Sequence, residues 1–378
     1  MFDYCSEFPQ DASLCYLNHA AMGPWPKRTI EALTSFTNEN MLAGSKHYDR
    51  WLRVEHKLRK DLAQLINADN KDIALLKNTS EGLSVIAYGL PWQKGDEILL
   101  LDQEFPSNRI VWESLQSQGV AVKVVHCQPG ETSESVLVQH STEKTKLISV
   151  SSVQYASSQR VDLELLSQHC RQNSILLCLD AIQSVGALPI DVQTTPVDFI
   201  VADGHKWMLG PEGIALFYCS ETQRERLQLK QYGWHMVEAL GDYDRNDWQI
   251  ASSARRFECG SPNMLGIHAL EASVSLLLEV GMEHISTQVL AHTRYLIEQL
   301  NQIRGMQILS ETRQGKHGGI VTFCHPNIAS SELYGSLKKH EIMCANRGGG
   351  VRFSPHFYNT KAQLDYALEK VEALIQAA

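Results

Sequence analysis

Residues 198–213 read DFIVADGHKWMLGPEG, and this stretch carries the strongest signal for the fold and for the chemistry. A short apolar run ends at Ala202, and Lys206 follows in a glycine-containing loop. Such runs are typical of strands that are buried on both faces of a sheet. A lysine just beyond a buried strand is placed for covalent chemistry, because desolvation lowers the pKa of its amine. Taken alone, however, a histidine–lysine pair is more often a solvated lysine beside a core histidine.

Apolar runs of this kind alternate with longer helical patterns along the first two thirds of the chain. The runs are IALLKN (73–78), EILLLD (97–102), KLISVS (146–151), SILLCLD (174–180) and DFIVAD (198–203). Segments 79–90 and 163–172 have the pattern of crossover helices between them. The alternation predicts an α/β fold whose mostly parallel sheet is covered on both faces.

The pattern changes after about residue 250. A long helix is predicted over 266–300, followed by the glycine-bounded strands GGIVTFCH (318–325) and GGGVRFSP (348–355). We therefore expect a large α/β domain over 16–250, and a smaller α+β domain formed by 1–15 and 251–378. Segment 41–65 is helical and charged, and is expected to be a solvated helix.

Composition excludes several classes of protein. The net charge of the 378 residues is -9, and no run of lysine and arginine offers the basic stripe of a nucleic-acid-binding surface. The nine cysteines form no CxxC pair, which argues against a disulfide framework or a structural metal and fits a reducing cytoplasm. The first residues do not resemble a leader peptide, and no stretch reaches the ~18 apolar residues of a membrane span. The expectation is a cytoplasmic protein that binds a small molecule, with no metal, nucleic-acid or membrane partner.

The residues that follow the apolar runs form a coherent set, because the carboxyl ends of parallel strands face one crevice. Thr79 and Ser80 open a helix, and free backbone N–H groups there suit a phosphate, although a plain helix cap has the same sequence. Asp180 ends a buried run, where a carboxylate needs a partner such as a protonated ring nitrogen unless it only caps a helix. Lys206 lies 206 − 180 = 26 residues later, about one crossover unit, which places both residues at neighbouring strand ends.

Six motifs occur in a characteristic order. They are NTSEG (78–82), DQEFPSN (102–108), LDAIQSVG (179–186), ADGHKWMLGPEG (202–213), RRFECGSPN (255–263) and VRFSPHFYNT (351–360). In this order they resemble the class V aminotransferase family of pyridoxal-phosphate enzymes, the fold-type I group that includes cysteine desulfurases, kynureninase and isopenicillin N epimerase-like proteins. The resemblance covers roughly residues 16–360, and implies that the large domain binds pyridoxal 5'-phosphate.

The resemblance implies a role for each residue around the cofactor ring. Lys206 would form a Schiff base with the cofactor and later move protons at the substrate's α and neighbouring carbons. Asp180 would pair with the pyridine nitrogen and keep the ring cationic. Gln183 would contact the ring hydroxyl, and Phe105 would stack on the ring face.

The phosphate and the substrate have their own implied residues. Thr79 and the backbone of Ser80 would hold the phosphate, helped by His205. Ser261 matches a family hydroxyl that reaches the phosphate from the partner subunit, which implies a homodimer with shared active sites. The residues implied at the substrate are Asn18, His19 and Arg352, of which Arg352 would grip the α-carboxylate through a planar, two-point contact.

Arg352 and Arg347 have alternative interpretations. An arginine in a surface strand pair would have the same sequence as Arg352 if the SPHFYNT context were ignored. Arg347 is either a second contact for an anion or a solvated loop arginine.

Three residues depart from the family pattern. Cys344 lies only 352 − 344 = 8 residues before Arg352, too close for the extended loop that carries the nucleophilic cysteine of the desulfurases, and we expect it to be a structural residue. Asp203 stands where many members have a serine or threonine that touches the phosphate, and should turn away towards His205 or a backbone donor. Ser152 stands where many relatives have asparagine.

The sequence therefore predicts a pyridoxal-phosphate enzyme that acts on an amino acid, with amino transfer as the first expectation. Cleavage by a lyase or hydrolase of the cysteine desulfurase, selenocysteine lyase or kynureninase kind, and epimerisation, remain alternatives, because the bond that breaks depends on geometry. A catalytically silent protein that binds the cofactor is the alternative outside enzymes. A nucleotide-binding dehydrogenase is disfavoured, since no GxGxxG motif follows a strand.

Overall fold

The computed structural model describes residues 4–128 and 130–378, with side chains from residue 6 onward. Part of the segment 1–15 that was assigned to the small domain therefore lies outside the described residues. The strands are β1 (Cys15–Tyr16), β2 (Ile73–Leu76), β3 (Glu97–Leu101), β4 (Ala121–Val125), β5 (Thr145–Ser151), β6 (Leu176–Asp180), β7 (Phe199–Asp203), β8 (Ala215–Cys219), β9 (Gln307–Ile308), β10 (Val321–Cys324), β11 (Ile342–Met343), β12 (Ala345–Arg347) and β13 (Gly350–Phe353). The helices are α1 (Tyr4–Glu7), α2 (Lys27–Ala43), α3 (Tyr48–Leu65), α4 (Thr79–Gly89), α5 (Ser107–Glu113), α6 (Ser133–His140), α7 (Leu163–Gln172), α8 (Glu221–Arg224), α9 (Met264–Val280), α10 (Met282–Leu300), α11 (Ser330–Lys339) and α12 (Lys361–Gln376).

A seven-stranded sheet in the order β2-β8-β7-β6-β5-β3-β4 forms the centre of the molecule. Strands β3 to β7 pair in parallel, whereas β8 is antiparallel to both of its neighbours. Strand β2 consequently points the same way as the parallel strands. The α/β fold with a mostly parallel sheet is confirmed, and the carboxyl ends of β2, β3, β5, β6 and β7 meet at one edge.

The sheet is buried on both faces, as the continuous apolar runs predict. In β3, Leu99 and Leu101 belong to one apolar cluster, whereas Ile98 and Leu100 belong to another. The first cluster includes side chains of α3, α7 and α9, and the second includes side chains of α4 and α5. Because alternate residues of a strand point to opposite faces, this division shows a helical layer on each side of the sheet.

The C-terminal part of the chain forms a separate antiparallel sheet in the order β12-β13-β10-β9. Strands β1 and β11 make a short parallel pair that brings the N-terminal segment to this sheet. A third apolar cluster lies between the sheet and α10, α11 and α12. This part of the chain has the α+β architecture that the sequence predicts. The domain boundary near residue 250 stays a prediction.

Two predicted helices differ from the structure. The single helix expected over 266–300 is two helices that meet at 85°, because Gly281 has a left-handed φ of 86° and ends α9. By length and composition these two helices could span a membrane only together as that bent pair, and no single helix among the described residues is long and apolar enough.

The solvated helix expected over 41–65 is also wrong, because α3 packs on the core through Leu58 and Leu62. Its charged residues Glu55 and Arg59 are buried too. The Arg59 guanidinium lies 2.9 Å from Glu55 and 2.5 Å from the distant Glu258. Hydrogen-bonded pairing of this kind offsets the cost of removing the charges from water.

Candidate active site

The backbone around Lys206 is held between two glycines. The N–H of Gly23 donates to the carbonyl of His205 over 2.7 Å, and a Cβ at position 23 would lie 2.3 Å from the carbonyl oxygen of Lys206. On the other side, Gly186 has a φ of 95°, and a Cβ there would lie 2.3 Å from the carbonyl oxygen of Trp207. The lysine loop therefore has a fixed place between the N-terminal segment and the turn after β6.

We expect Gly23→Ala to lower the free energy of unfolding by ~1–3 kcal/mol and to weaken cofactor binding, because the added methyl group must push the Lys206 peptide aside. Thermal unfolding and cofactor titration measure the two effects. Gly335→Ala in α11 is the matched control, since a Cβ there has no other group within 4 Å and alanine is the better helix former. Equal stability of Gly23→Ala and the wild type would contradict the close packing.

Lys206 itself is buried, and burial lowers the pKa of its amine from 10.5 to about 8. The nearby Asp180 carboxylate opposes this shift, whereas the Arg352 guanidinium adds to it. Such a change increases the unprotonated fraction at pH 7 by about 300-fold. The amine lies 5.7 Å from the centre of the Phe105 ring, so the aromatic ring and the nucleophile face the same space.

The rate at which Lys206 condenses with pyridoxal, which has no phosphate, should therefore rise through pH about 8 and level off above it. The rate rises with pH because only the unprotonated amine attacks an aldehyde. The lowered pKa makes this unprotonated form available at a lower pH. Borohydride trapping and mass spectrometry of the Lys206 peptide give the rate. The exposed Lys46 is the internal control, and the same profile at both lysines would contradict the lowered pKa.

Asp180 lies at the end of β6, which pairs with β7, the strand that precedes the Lys206 loop, and the residue is 2% exposed. Burial raises the pKa of its carboxyl to about 7, and the buried Glu104 adds to this rise. One oxygen accepts from the backbone N–H of Ile182 over 3.1 Å. A carboxyl group placed in this way gains most from a cationic N–H donor, which would restore its ionised form.

Gln183 holds three segments together at the same place. Its side-chain oxygen accepts from the Trp207 indole over 2.8 Å, and its nitrogen donates to the carbonyl of Ala20 over 3.0 Å. The second hydrogen of this amide is left for a ring hydroxyl. Ser152 instead contacts Ser184, and its N–H donates to the carbonyl of Asp180 over 2.9 Å.

The N-terminus of α4 has the geometry of an anion site. Asn78 caps the helix through the N–H of Glu81 over 2.9 Å, and Ser80 is an exposed residue of the first turn. The N–H and the hydroxyl of Thr79 donate to one oxygen of Asp203, the hydroxyl over 3.1 Å. The other oxygen of Asp203 lies 3.5 Å from Nδ1 of His205. Asp203 thus lies near His205 and accepts from a backbone donor, as expected. It does not turn away from the predicted phosphate cradle, however, because this donor is Thr79, which belongs to that cradle.

Arg352 on β13 is a buried cation, with 1% of its surface exposed. One terminal nitrogen donates to the carbonyl of Tyr155 over 2.8 Å, while Nε and the other terminal nitrogen have no hydrogen-bond partner among the described residues. Burial and the proximity of Arg347 lower the pKa of the guanidinium to about 10. Unpaired N–H groups on a buried cation beside Lys206 favour a bound anion.

The two arginines lie on the same face of their hairpin. Residue 345 pairs with Arg352, and Arg347 pairs with Gly350. Directly opposed residues share a face, as do residues two apart on a strand, so Arg347 and Arg352 are diagonal neighbours. Both guanidiniums raise the positive potential at Lys206.

His19 is not on the surface of the site, which corrects its predicted role. The side chain is fully buried; Nδ1 bonds the carbonyl of Ser354 over 2.9 Å, and Nε2 bonds the hydroxyl of Tyr358 over 2.7 Å. No ring nitrogen is left for a substrate. The neighbouring Asn18 is only half-buried, and its side-chain oxygen has no partner among the described residues, so its predicted substrate contact remains available.

Ser261 lies on a cleft whose lining residues do not include Lys206. It is exposed and lines an open cleft of about 670 Å³ together with Asn78 and Glu81. Its predicted contact with a phosphate in the partner subunit stays a prediction.

Two residues of the site were missed by the sequence analysis. Glu104 is buried and accepts hydrogen bonds from Ser151, Asn108 and Gln154. Tyr155 contacts the Phe105 ring edge-on at 5.3 Å. Both follow the carboxyl ends of central strands, β3 and β5, so the rule that located Asp180 and Lys206 could have found them.

The residues present fit one cofactor chemistry. A buried amine with a lowered pKa, a buried carboxyl, a half-buried aromatic ring and a helix N-terminus converge at the switch point of a parallel sheet. Together they suit an aromatic aldehyde that carries a phosphate and a basic ring nitrogen. The fold and the site define a pyridoxal-phosphate enzyme of fold type I.

Comparison with known proteins gives the family. The model of the aminotransferase class-V family matches residues 15–367, and the chain belongs to this family. Pyridoxal phosphate is accordingly its cofactor. A probable cysteine desulfurase from Methanothermobacter thermautotrophicus is 27% identical, over 95% of this chain and 94% of that protein. The uncharacterized aminotransferase YcbU of Bacillus subtilis is 29% identical, over 83% and 82%.

Solved structures show the same fold. A cysteine desulfurase from Thermococcus onnurineus superimposes with a TM-score of 0.88 at 24% identity, over 99% of this chain and 98% of that one. The cystine C–S lyase C-DES, in complex with its product cysteine persulfide, has a TM-score of 0.88 at 23% identity, over 97% and 99%.

Proposed function

We propose that the protein transfers the amino group of an α-amino acid, and that Arg352 binds the α-carboxylate of this substrate. The observation that carries the carboxylate contact is the buried guanidinium of Arg352, which keeps two nitrogens unpaired among the described residues and lies close enough to Lys206 to lower the pKa of its amine. The preference for amino transfer over sulfur transfer rests on the buried thiol of Cys344. A carboxylate that binds there places the α-amino group of the substrate towards the lysine.

Each side chain has a task that follows from its surroundings. Lys206 is the base that takes a proton from the α-carbon and returns it elsewhere, because its pKa of about 8 lets it exchange protons near neutral pH. Asp180 holds the ring nitrogen in its protonated form, and Tyr155 anchors Arg352 through its backbone carbonyl. When it is bound, pyridoxal phosphate supplies the electron sink for the α-carbon.

Cys344, the thiol closest in sequence to Arg352, argues against sulfur transfer through a protein persulfide. Cys344 is buried next to β12, and burial raises the pKa of its thiol to about 12. A thiol in this state is neither accessible nor nucleophilic. Cys259, which is partly exposed, is directed to Gln231 over 3.4 Å. The side chain of Cys5 is outside the described residues.

Cleavage of a carbon–sulfur bond without a protein thiol is the second candidate. The observation that favours it is the set of relatives, which includes probable cysteine desulfurases and, by fold, a cystine C–S lyase. The same lysine and arginine would serve such an elimination, because it also begins with removal of the α-proton.

A homodimer in the cytoplasm is part of the proposal. The segment 232–250 exposes Tyr232, Trp234, Tyr243 and Trp248, and this amount of exposed aromatic surface is typical of an interface. The cleft that contains Ser261 is also lined by Gln231, the residue directly before this segment. This proximity supports the expected contact of the Ser261 hydroxyl with the partner subunit. Analytical ultracentrifugation tests the assembly.

The reaction is tested by adding amino acids one at a time to the purified holoprotein. Amino transfer converts the cofactor to its amine form and releases one equivalent of keto acid, without a second substrate. Elimination instead releases ammonia and pyruvate with sulfide or a persulfide, and leaves the cofactor unchanged. Release of sulfide from cysteine, or of cysteine persulfide from cystine, with no keto acid from any other amino acid, would overturn amino transfer in favour of the second candidate.

A further inference from the structure

Asp203 holds a position that a phosphate also needs. Its carboxylate receives the N–H and the hydroxyl of Thr79, the first residue of α4. A carboxylate at a helix N-terminus is stabilised by the unpaired N–H groups and by the helix dipole, for the same reasons that a phosphate is. The carboxylate and the cofactor's phosphate therefore compete for the same donors.

Few positive charges are available to hold two anions together here. The charged and titratable groups that face Asp203 are His205 and Lys206 on its own loop and Asp180 on the neighbouring strand β6, while α4 offers the uncharged Thr79. Burial lowers the pKa of His205 in the ligand-free protein, and the charge of Lys206 is lost when its amine reacts. Asp180 and Glu212, which faces His205, are acids.

We propose that Asp203 binds the cofactor's phosphate as a neutral carboxylic acid, and that loading of the cofactor takes up one proton at this side chain. The proton comes from solvent and adds to a carboxylate oxygen. The resulting O–H donates to a phosphate oxygen, and the N–H and hydroxyl of Thr79, together with the N–H of Ser80, turn to the phosphate. No covalent bond other than this O–H forms or breaks.

The surroundings already favour the neutral acid. Burial raises the pKa of the Asp203 carboxyl above its ordinary value, and a phosphate dianion at the same helix end raises it further. The affinity for the phosphorylated cofactor should thus fall as pH rises, by up to about tenfold per pH unit between the pKa of Asp203 in the ligand-free protein and its higher pKa in the complex. The inference rests on the cofactor and not on which reaction the enzyme catalyses.

The experiment measures cofactor affinity in the Lys206→Ala background, which removes the covalent bond and its own pH dependence. Pyridoxal phosphate is titrated by calorimetry between pH 7 and 9.5, where the phosphate is a dianion throughout. We expect the affinity of the Asp203 protein to fall relative to that of Asp203→Asn between pH 7 and 9.5, so that the ratio of the two affinities changes by at least about tenfold. Titration in two buffers of different ionisation enthalpy should show more proton uptake with Asp203 than with asparagine.

Three controls separate this role from a structural one. Asp203→Ser offers a hydroxyl donor and should follow the same pH profile as Asp203→Asn. Pyridoxal, which has no phosphate, should bind both proteins with the same pH profile. Asp69→Asn removes a remote helix-capping carboxylate and should leave the profile of Asp203 unchanged. The same pH dependence with Asp203 and with asparagine, or weaker binding by Asp203→Asn at every pH, would overturn the proposal.

Discussion

Lys206→Ala should yield a protein that binds pyridoxal phosphate without the visible absorption of a lysine-bound cofactor, and that turns over its amino-acid substrate at least about 10³-fold more slowly. Two functions are lost together, since the amine both holds the cofactor covalently and moves the substrate's α-proton. Absorbance spectra of the purified protein and single-turnover kinetics measure them separately.

Lys206→Arg tests whether the positive charge of Lys206 is sufficient for activity. A guanidinium keeps this charge but is not a nucleophile at any working pH. It should be as inactive as the alanine variant. Lys46→Ala, at an exposed position between α2 and α3, should keep both the spectrum and the rate of the wild type. A wild-type protein that stays colourless after it is refilled with pyridoxal phosphate would contradict the assignment of Lys206.

The sequence was sufficient for the central sheet because burial on both faces leaves a local signature. Each of the five apolar runs became a strand, and the segment 163–172 became α7 with the same bounds. The predictions were wrong where the structure depends on a single residue or on a partner that is distant in the sequence. Gly281 breaks a continuous helical pattern through its own φ, and the buried charges of α3 depend on Glu258, 199 residues from Arg59. Neither cause can be read from local periodicity.

The candidate site, too, could be predicted from the sequence in some parts and not in others. The order of strand ends placed Thr79, Asp180 and Lys206 in one crevice, because the topology of a parallel sheet fixes where carboxyl ends meet, and the family resemblance added Phe105. The contact between Asp203 and Thr79 joins residues 124 apart, and sequence could only state that a carboxylate was out of place there. His19 was misjudged because a histidine that is fully bonded inside the protein has the same local sequence as one that is free to bind.

Arg352→Gln should lower kcat/KM by about 10²–10³-fold, mainly through KM, because loss of a buried charged contact costs roughly 2–5 kcal/mol and each 1.4 kcal/mol is tenfold. Arg352→Lys keeps the charge, but cannot contact both carboxylate oxygens in one plane, and should lose about tenfold less than the glutamine variant. Arg347→Ala changes only the exposed diagonal neighbour, and should cost less than tenfold. Steady-state kinetics on the substrate found in the amino-acid screen gives these ratios.

Stability separates a substrate-binding role of Arg352 from a structural one. A buried guanidinium with two nitrogens unpaired among the described residues costs free energy in the ligand-free protein, and Arg347 on the same face adds repulsion. Arg352→Met, which keeps much of the volume and removes the charge, should therefore unfold at a higher temperature than the wild type while losing activity. Substrate analogues with a carboxylate should raise the melting temperature of the wild type only. A lower melting temperature of Arg352→Met, together with unchanged KM in Arg352→Gln, would show that the guanidinium supports the fold instead of the substrate.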